Sequence, residues 1–142
     1  MEITLIRHGK PAAAINPKLS ASGFANWVRS YNQSKVADDS LPPEWLESSL
    51  AGHFIVSSDL PRATDSVQRC LNREPDMQLK QLREMDIPRY KLPFVLKAYT
   101  WLGMSRIFWL LGFSGKVESF KEAKNRAKAS AELLQSLASQ HG

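Results

Sequence analysis

The start of the chain combines a short apolar run with three residues that suit a ligand site. The run Glu2–Ile6 has the composition of a strand, and it leads directly into Arg7-His8-Gly9. A cation, an imidazole and a glycine therefore stand where a predicted strand gives way to a loop. In sheets with helices on their faces, ligands usually bind beyond the carboxyl ends of the strands. On its own, the tripeptide also fits an ordinary loop histidine beside a surface arginine.

A second predicted strand, His53–Ser58, leads into a predicted helix from about Pro61 to Leu71. Proline suits the first helical position because its missing N–H would have no partner there. Arg62 then lies in the first turn of this helix. Free backbone N–H groups and the helix dipole favour an anion at that end, and a guanidinium adds a fork that fits phosphate oxygens.

A third predicted strand, Met77–Leu82, alternates apolar and polar residues as a half-exposed strand does. Glu84 is therefore a third ionisable group just beyond a predicted strand. Two more helices are predicted from apolar residues at helical spacing: Phe24–Tyr31, with one aromatic face, and Glu118–Gln140, with a narrow apolar stripe. Strands that alternate with helices predict an α/β fold.

Composition and charge narrow the class of protein. The chain is 43% hydrophobic and 23% charged, as expected for one globular domain with a core. The net charge of +5 favours anionic partners, but phosphate esters satisfy it as well as nucleic acid does, and we expect no nucleic-acid partner. Cys70 is the single cysteine, and no signal-peptide pattern surrounds Ile3–Ile6, so we predict a cytoplasmic protein.

The stretch Leu92–Phe113 is unusually rich in aromatic and aliphatic residues, and we interpret it as an apolar insertion at about 90–115 in a single domain spanning 1–142. Lys97 and Arg106 interrupt the stretch and argue against a simple membrane-spanning helix. Three interpretations stay open: a buried helical insertion or lid over a site, a surface for self-association or membrane contact, and a true membrane span.

Four separated pieces of the sequence resemble the histidine phosphatase superfamily, which is also called the phosphoglycerate-mutase-like family. They stand at the predicted strand ends and at a helix start: Arg7–Gly9, Leu19–Gly23, Ser57–Ala63 and Leu82–Asp86, with a weaker fifth piece at Gly115–Ser119 and Arg126. The resemblance implies a three-layer α/β/α sandwich with a mostly parallel sheet. The apolar insertion matches nothing in the family's pattern.

The resemblance also implies roles for individual residues. His8 would attack phosphorus and carry the phosphoryl group as a phosphohistidine. Arg7 and Arg62 would bind the phosphate oxygens, and Gly9 would allow close approach of the backbone. Glu84 would protonate the leaving oxygen and then activate water. Phosphoryl transfer depends mainly on positioning and on neutralising oxygen charge, so we expect no metal and no other cofactor.

One part of the family's pattern has no counterpart in the chain, namely a second pocket histidine after a late apolar strand. His141-Gly142 has the right residue types, but Ser136–Gln140 before it continue a helix. His53 begins a predicted strand and does not end one. We therefore expect the last strand, the second histidine and a closing helix to be missing from these residues. Three explanations stay open: the sequence is truncated at Gly142, the tail is lost or disordered, or the protein lacks this part, and in the last case an apolar sheet edge would be exposed.

The expected function is a metal-independent phosphatase that hydrolyses phosphomonoesters through phosphohistidine at His8. Its substrate would be a small-molecule phosphate ester or another phosphorylated ligand. Two alternatives stay open: a non-catalytic relative that binds a phosphorylated ligand or a protein, and a phosphomutase of the same family. The apolar stretch Leu92–Phe113 would favour a substrate with a greasy portion if it covered the pocket.

Overall fold

The computed structural model describes residues 2–141, and helices dominate this part of the chain. The α-helices are Ala21–Gln33 (α1), Glu44–Ser49 (α2), Pro61–Leu71 (α3), Ala98–Leu110 (α4) and Phe120–His141 (α5). The strands have two residues each: Lys18–Leu19 (β1), Val56–Ser57 (β2), Met77–Gln78 (β3) and Leu96–Lys97 (β4). A single 3-10 turn spans Lys80–Leu82.

The expected three-layer α/β/α sandwich with a mostly parallel sheet is wrong. The described residues form two separate two-stranded sheets, β1 antiparallel to β4 and β2 parallel to β3, and about 49% of the chain is helical. In the parallel pair, Val56 lies opposite Met77 and Ser57 opposite Gln78. A sandwich needs a continuous sheet between two helix layers, and ladders of two residues are too short to form that middle layer.

The first predicted strand, Glu2–Ile6, forms no ladder with any residue between 2 and 141. Leu5 is 84% exposed. The run borders an open cavity of about 1410 Å³ that β2, α2 and α3 also line. An apolar composition favours a strand only where a partner strand supplies hydrogen bonds and a surface to pack on. Here the run borders open space instead, so its strand propensity is not realised.

Three predicted helices are confirmed, and local signals explain their ends. α1 contains the predicted Phe24–Tyr31, and the hydroxyl of Ser20 accepts an N–H from its first turn. α3 begins at Pro61 as predicted. At the start of α5, Ser119 and Glu122 each accept the other's backbone N–H through their side chains, which is a capping box.

The hydrophobic core lies between α1 and α4. Phe24 stacks on Trp27 and on Trp101, with ring centroids 5.7 and 5.6 Å apart. The inner face of the stretch Leu92–Phe113 therefore belongs to this core. No residue of the stretch Leu92–Phe113 lines the cavity that borders His8.

The outer face of the same stretch stays apolar and exposed. Its exposed side chains include Ile107, Leu110, Leu111 and Phe113. Within residues 2–141, no helix has the length and apolarity needed to cross a membrane. Self-association or membrane-surface contact through this face stays a prediction.

Candidate functional site

Three of the four sequence-predicted site residues meet in one cluster, which we call the His8 cluster: His8, Arg62 and Glu84. Nε2 of His8 lies 3.1 Å from a carboxylate oxygen of Glu84 and 3.1 Å from Nε of Arg62. Arg62 also donates from a terminal N–H to the other carboxylate oxygen, at 3.1 Å. The side chains therefore form a closed triangle of hydrogen bonds in which charged groups take part.

The position of Arg62 is fixed by its surroundings. The residue lies in the first turn of α3, as predicted, and is only 2% exposed. Another terminal N–H points to the carbonyl oxygen of Tyr31 at 3.4 Å, and the guanidinium carbon lies 5.0 Å from the centre of the Tyr31 ring. A buried guanidinium needs a partner for its charge, and Glu84 supplies it. These contacts orient the guanidinium group of Arg62 toward His8 and Glu84.

The hydrogen bonds of the His8 ring favour one tautomer. Nδ1 lies 2.7 Å from the carbonyl oxygen of Gly9, which can only accept, so this nitrogen donates. In the neutral ring, Nε2 then carries the lone pair and accepts from Arg62. The contact with Glu84 suits a protonated ring instead. Nε2 is therefore the nitrogen whose lone pair is available for nucleophilic attack.

Glu84 is an ionised carboxylate in this arrangement. Its hydrogen bond with His8, together with the hydrogen bond and charge of Arg62, lowers its pKa to about 2 against the opposing effect of burial. A general acid must carry a proton before it can donate one. Glu84 can therefore act as an acid only after a bound anion has weakened its contacts with His8 and Arg62.

A single helix, α3, holds both Arg62 and the segment that carries His8. The backbone N–H of Gly9 donates to the hydroxyl of Ser66 at 2.9 Å, and this hydroxyl donates to the carbonyl of Arg62 at 2.7 Å. A Cβ on Gly9 would lie 2.7 Å from Cγ1 of Val36. Glycine at position 9 therefore allows the backbone next to His8 to lie close to the side chain of Val36.

The segment before Glu84 is clamped by α5. Arg126 donates to the carbonyl oxygens of Gln81 and Arg83 at 2.7 and 2.8 Å, and it also pairs with both carboxylate oxygens of Glu118. Sequence reasoning assigned no task to this ion pair. The resemblance includes both residues in its weaker fifth piece but implies no role for them, and the contacts of Arg126 with backbone carbonyls cannot be predicted from residue types, since every residue carries a carbonyl.

Arg7 is the predicted site residue that the structure does not bring into the His8 cluster. Its side chain is exposed and forms no hydrogen bond or ion pair with residues 2–141. It does line the same open cavity as His8. His141 ends α5, as the predicted continuation of the helix requires, and its ring stacks on Phe54 with centroids 3.8 Å apart.

The ligand that the His8 cluster suits is a small oxyanion. Arg62 supplies a buried positive charge, His8 supplies an imidazole ring, and the N-terminus of α3 adds partial positive charge. Among residues 2–141, no group of three or more His, Cys, Asp or Glu side chains is arranged to hold a metal ion.

The chain matches no family model, no curated protein and no solved structure. The family resemblance therefore depends on short sequence pieces alone, among them those around His8, Arg62 and Glu84.

Proposed function

We propose that the protein is a histidine phosphatase that hydrolyses phosphomonoesters through a phosphohistidine at His8. The observation that supports this function is the convergence of His8, Arg62 and Glu84 at hydrogen-bond distances of 3.1 Å. In type they are a nucleophile, an anion-binding cation and an acid–base group, which together meet the minimum needs of phosphoryl transfer.

In the first step, Nε2 of His8 bonds to phosphorus while the bond from phosphorus to the leaving oxygen breaks. The hydrogen bond from Nδ1 to Gly9 keeps the lone pair on Nε2 and stabilises the positive charge that the ring gains. Arg62 neutralises charge on the phosphate oxygens. In the structure, a carboxylate oxygen of Glu84 lies 3.1 Å from Nε2 of His8. The phosphoryl group therefore enters between the carboxylate and the ring and moves them apart.

Substrate binding also supplies the proton that Glu84 needs. A phosphate anion beside His8 and Arg62 offsets the two groups that hold the pKa of Glu84 at about 2, so this pKa rises. The Glu84 carboxylate takes the proton of the substrate monoanion and donates it to the leaving oxygen. In the second step the Glu84 carboxylate accepts a proton from the water that bonds to phosphorus, while the bond from phosphorus to Nε2 of His8 breaks and phosphate leaves.

The test is the release of phosphate from an aryl phosphate with a chelator present. We expect the unmodified chain to turn over, and His8→Ala to lose activity by about 10³-fold or more. His53→Ala is the matched control, because His53 contributes no side chain to the His8 cluster, and it should keep its activity. A folded chain with no turnover and no acid-labile phosphohistidine would contradict the proposal.

A second candidate is a relative that binds phosphate without hydrolysing it. The observation that favours it is the exposed side chain of Arg7, since the second expected phosphate ligand is outside the His8 cluster. In that case inorganic phosphate would raise the melting temperature through binding to the folded state, Arg62→Ala would abolish this rise, and no aryl phosphate would be hydrolysed.

A further inference from the structure

Helix α4 is apolar on both of its sides. Its inner side carries Ala98 and Trp101, which are fully buried in the core. Its outer side carries Tyr99, Ile107 and Leu110, which are exposed. Their spacing of eight and then three residues keeps them on one side of the helix. A helix at a protein surface normally turns polar residues outward, so the outer side of α4 has a composition typical of a covered surface.

The apolar exposure continues into the loop after α4, where Leu111 and Phe113 are exposed. The hydroxyl of Tyr90 donates to the carbonyl oxygen of Phe113, and the Tyr90 ring packs edge-on against Phe108 with centroids 5.4 Å apart. The segment around Tyr90 therefore lies beside the C-terminal end of α4. We call the exposed apolar side chains of the helix and its loop the α4 surface: Tyr99, Ile107, Leu110, Leu111 and Phe113.

The stretch that forms the α4 surface carries only positive charges. Residues 87–117 include five cations and no carboxylate: Arg89, Lys91, Lys97, Arg106 and Lys116. All five are exposed, and none forms an ion pair with a carboxylate of residues 2–141. Arg106 lies beside Ile107 on the outer side of α4. Arg89 and Lys91 flank Tyr90 and so lie beside the end of the same helix.

The elements packed against α4 offset little of this positive charge. The helix α1, its partner in the core, has no acidic residue. At the start of α5, where Trp109 donates to the carbonyl oxygen of Glu118, the Glu118 carboxylate pairs with Arg126 through both oxygens. The carboxylate of Glu122 accepts a backbone N–H at the start of its own helix. The α4 surface is therefore an apolar patch in a positive field.

A second copy of the chain is a poor partner for this surface. A two-fold interface brings the same patch of both subunits together, so Arg106 and the cations around it would face the same cations of the other copy. Like charges brought together across an interface are unfavourable. A membrane span is also unsuited, because α4 has 13 residues, which cover about 20 Å, and the hydrocarbon core of a bilayer is about 30 Å thick.

The surface of an anionic bilayer fits both the apolar side chains and the charges. Aliphatic and aromatic side chains reach the boundary between headgroups and acyl chains, and lysine and arginine attract the lipid phosphates. The long stems of these cations stay on apolar ground while their charged ends reach outward. We propose that the α4 surface docks the protein on an anionic membrane surface. The proposal goes beyond the phosphatase function and does not depend on it, because it uses no residue of the His8 cluster.

The test is co-sedimentation of the full chain with lipid vesicles. We expect binding to vesicles of phosphatidylcholine mixed with phosphatidylglycerol, much weaker binding to phosphatidylcholine alone, and a smaller difference at high salt, which screens exposed charges. The double variant Lys91→Gln/Arg106→Gln should bind the anionic vesicles roughly 25-fold more weakly, since each cation near such a surface contributes roughly fivefold. The matched control Lys10→Gln/Lys35→Gln lowers the net charge equally outside residues 87–117 and should bind as the unmodified chain does.

A second pair of variants tests the apolar contribution. Leu110→Ser should weaken binding to the anionic vesicles by roughly tenfold, because burial of the leucine side chain in the bilayer is lost. Leu41→Ser is the control, since Leu41 is also exposed but lies before α2, outside the α4 surface, and it should leave binding unchanged. Circular dichroism checks that each variant keeps its fold.

Equal binding to the two types of vesicle, or anionic binding that survives in Lys91→Gln/Arg106→Gln, would overturn the proposal. A chain that binds neither type of vesicle would leave the α4 surface to a protein partner and would overturn it as well. Light scattering identifies a second copy as the occupant: a dimer that Leu110→Ser converts to a monomer contradicts membrane docking. Phosphate release is measured without vesicles, so the failure of either proposal is seen independently of the other.

Discussion

Trp101 in the helical core and Arg62 in the His8 cluster are almost equally hidden from solvent, at 0% and 2% exposed, but they are held by different contacts. Trp101 stacks on Phe24 and packs among apolar side chains. Arg62 donates hydrogen bonds to the side chains and backbone around it. Apolar burial stabilises a fold in proportion to its area, whereas a buried ion pair adds little net stability. The core should therefore carry most of the stability, and the cluster should fix geometry.

The largest effect should come from Trp101→Ala, which removes a fully buried indole from the core. We expect the free energy of unfolding to fall by about 3–5 kcal/mol. Urea unfolding followed by circular dichroism measures this loss. Trp45→Ala is the matched control, because Trp45 is 65% exposed, and it should change stability by no more than about 0.5 kcal/mol. If the free energy of unfolding fell equally in the two variants, Trp101 would not be part of the hydrophobic core.

A smaller loss is expected from Gly9→Ala, which tests how tightly the His8 segment is packed. The new Cβ would lie 2.7 Å from Cγ1 of Val36, a stiff and buried side chain. We expect a loss of about 1–3 kcal/mol from overpacking, measured by urea unfolding, and partial recovery when Val36→Ala is added.

Gly103→Ala is the control for this glycine. Apart from its chain neighbours and the backbone of its own helix, no atom of the described residues lies within 4 Å of the added Cβ, and Gly103 is inside α4. Alanine there should stabilise the protein by about 0.5–1 kcal/mol, because glycine is a poor helix former. Losses of similar size at both glycines would show that Gly9 is not specially packed.

The smallest effect concerns the pH dependence of stability. The folded-state pKa of Glu84, about 2, lies below its ordinary value of about 4.5, so the unfolded chain binds the proton more readily. This group therefore contributes stability above pH 4.5 that is lost as the pH falls toward 2. Glu84→Gln should be less stable than the unmodified chain at neutral pH.

Unfolding curves at a series of acidic pH values measure this difference. The gap in stability between Glu84→Gln and the unmodified chain should narrow on acidification, because protonation removes from the unmodified chain the Glu84 charge that the variant already lacks. Asp59 and Asp76 also have lowered pKa values, caused mainly by hydrogen bonds to Arg83 and to the backbone of Ile55 respectively, but they are common to both chains. A gap that stays constant with pH would show that Glu84 is not ion-paired.

The helices could be predicted from the sequence because their signals are local. Pro61 marks the start of α3, and the aromatic spacing of Phe24–Tyr31 marks the buried face of α1. Strand pairing depends on distant residues, and this is where prediction was wrong. The run Glu2–Ile6 has strand composition, but the ladder that would have made it part of a sheet is not formed with the described residues.

Three members of the predicted site meet, although the predicted sheet does not position them. His8 is held through Ser66 on α3, and Glu84 follows a segment held by Arg126 on α5. The residue types required by phosphate chemistry could be recognised in the sequence. The supporting contacts could not, because they are made largely to backbone atoms. Arg7 matched the same chemical pattern but lies outside the cluster.

The spacing of the His8 cluster along the chain has a consequence for folding. His8 is 54 residues from Arg62 and 76 from Glu84, so the cluster needs two long loops to close. Long-range contacts form slowly because loop entropy is lost before they can compensate for it. A nascent or partly folded chain therefore carries all three residues of the His8 cluster before the cluster itself can assemble.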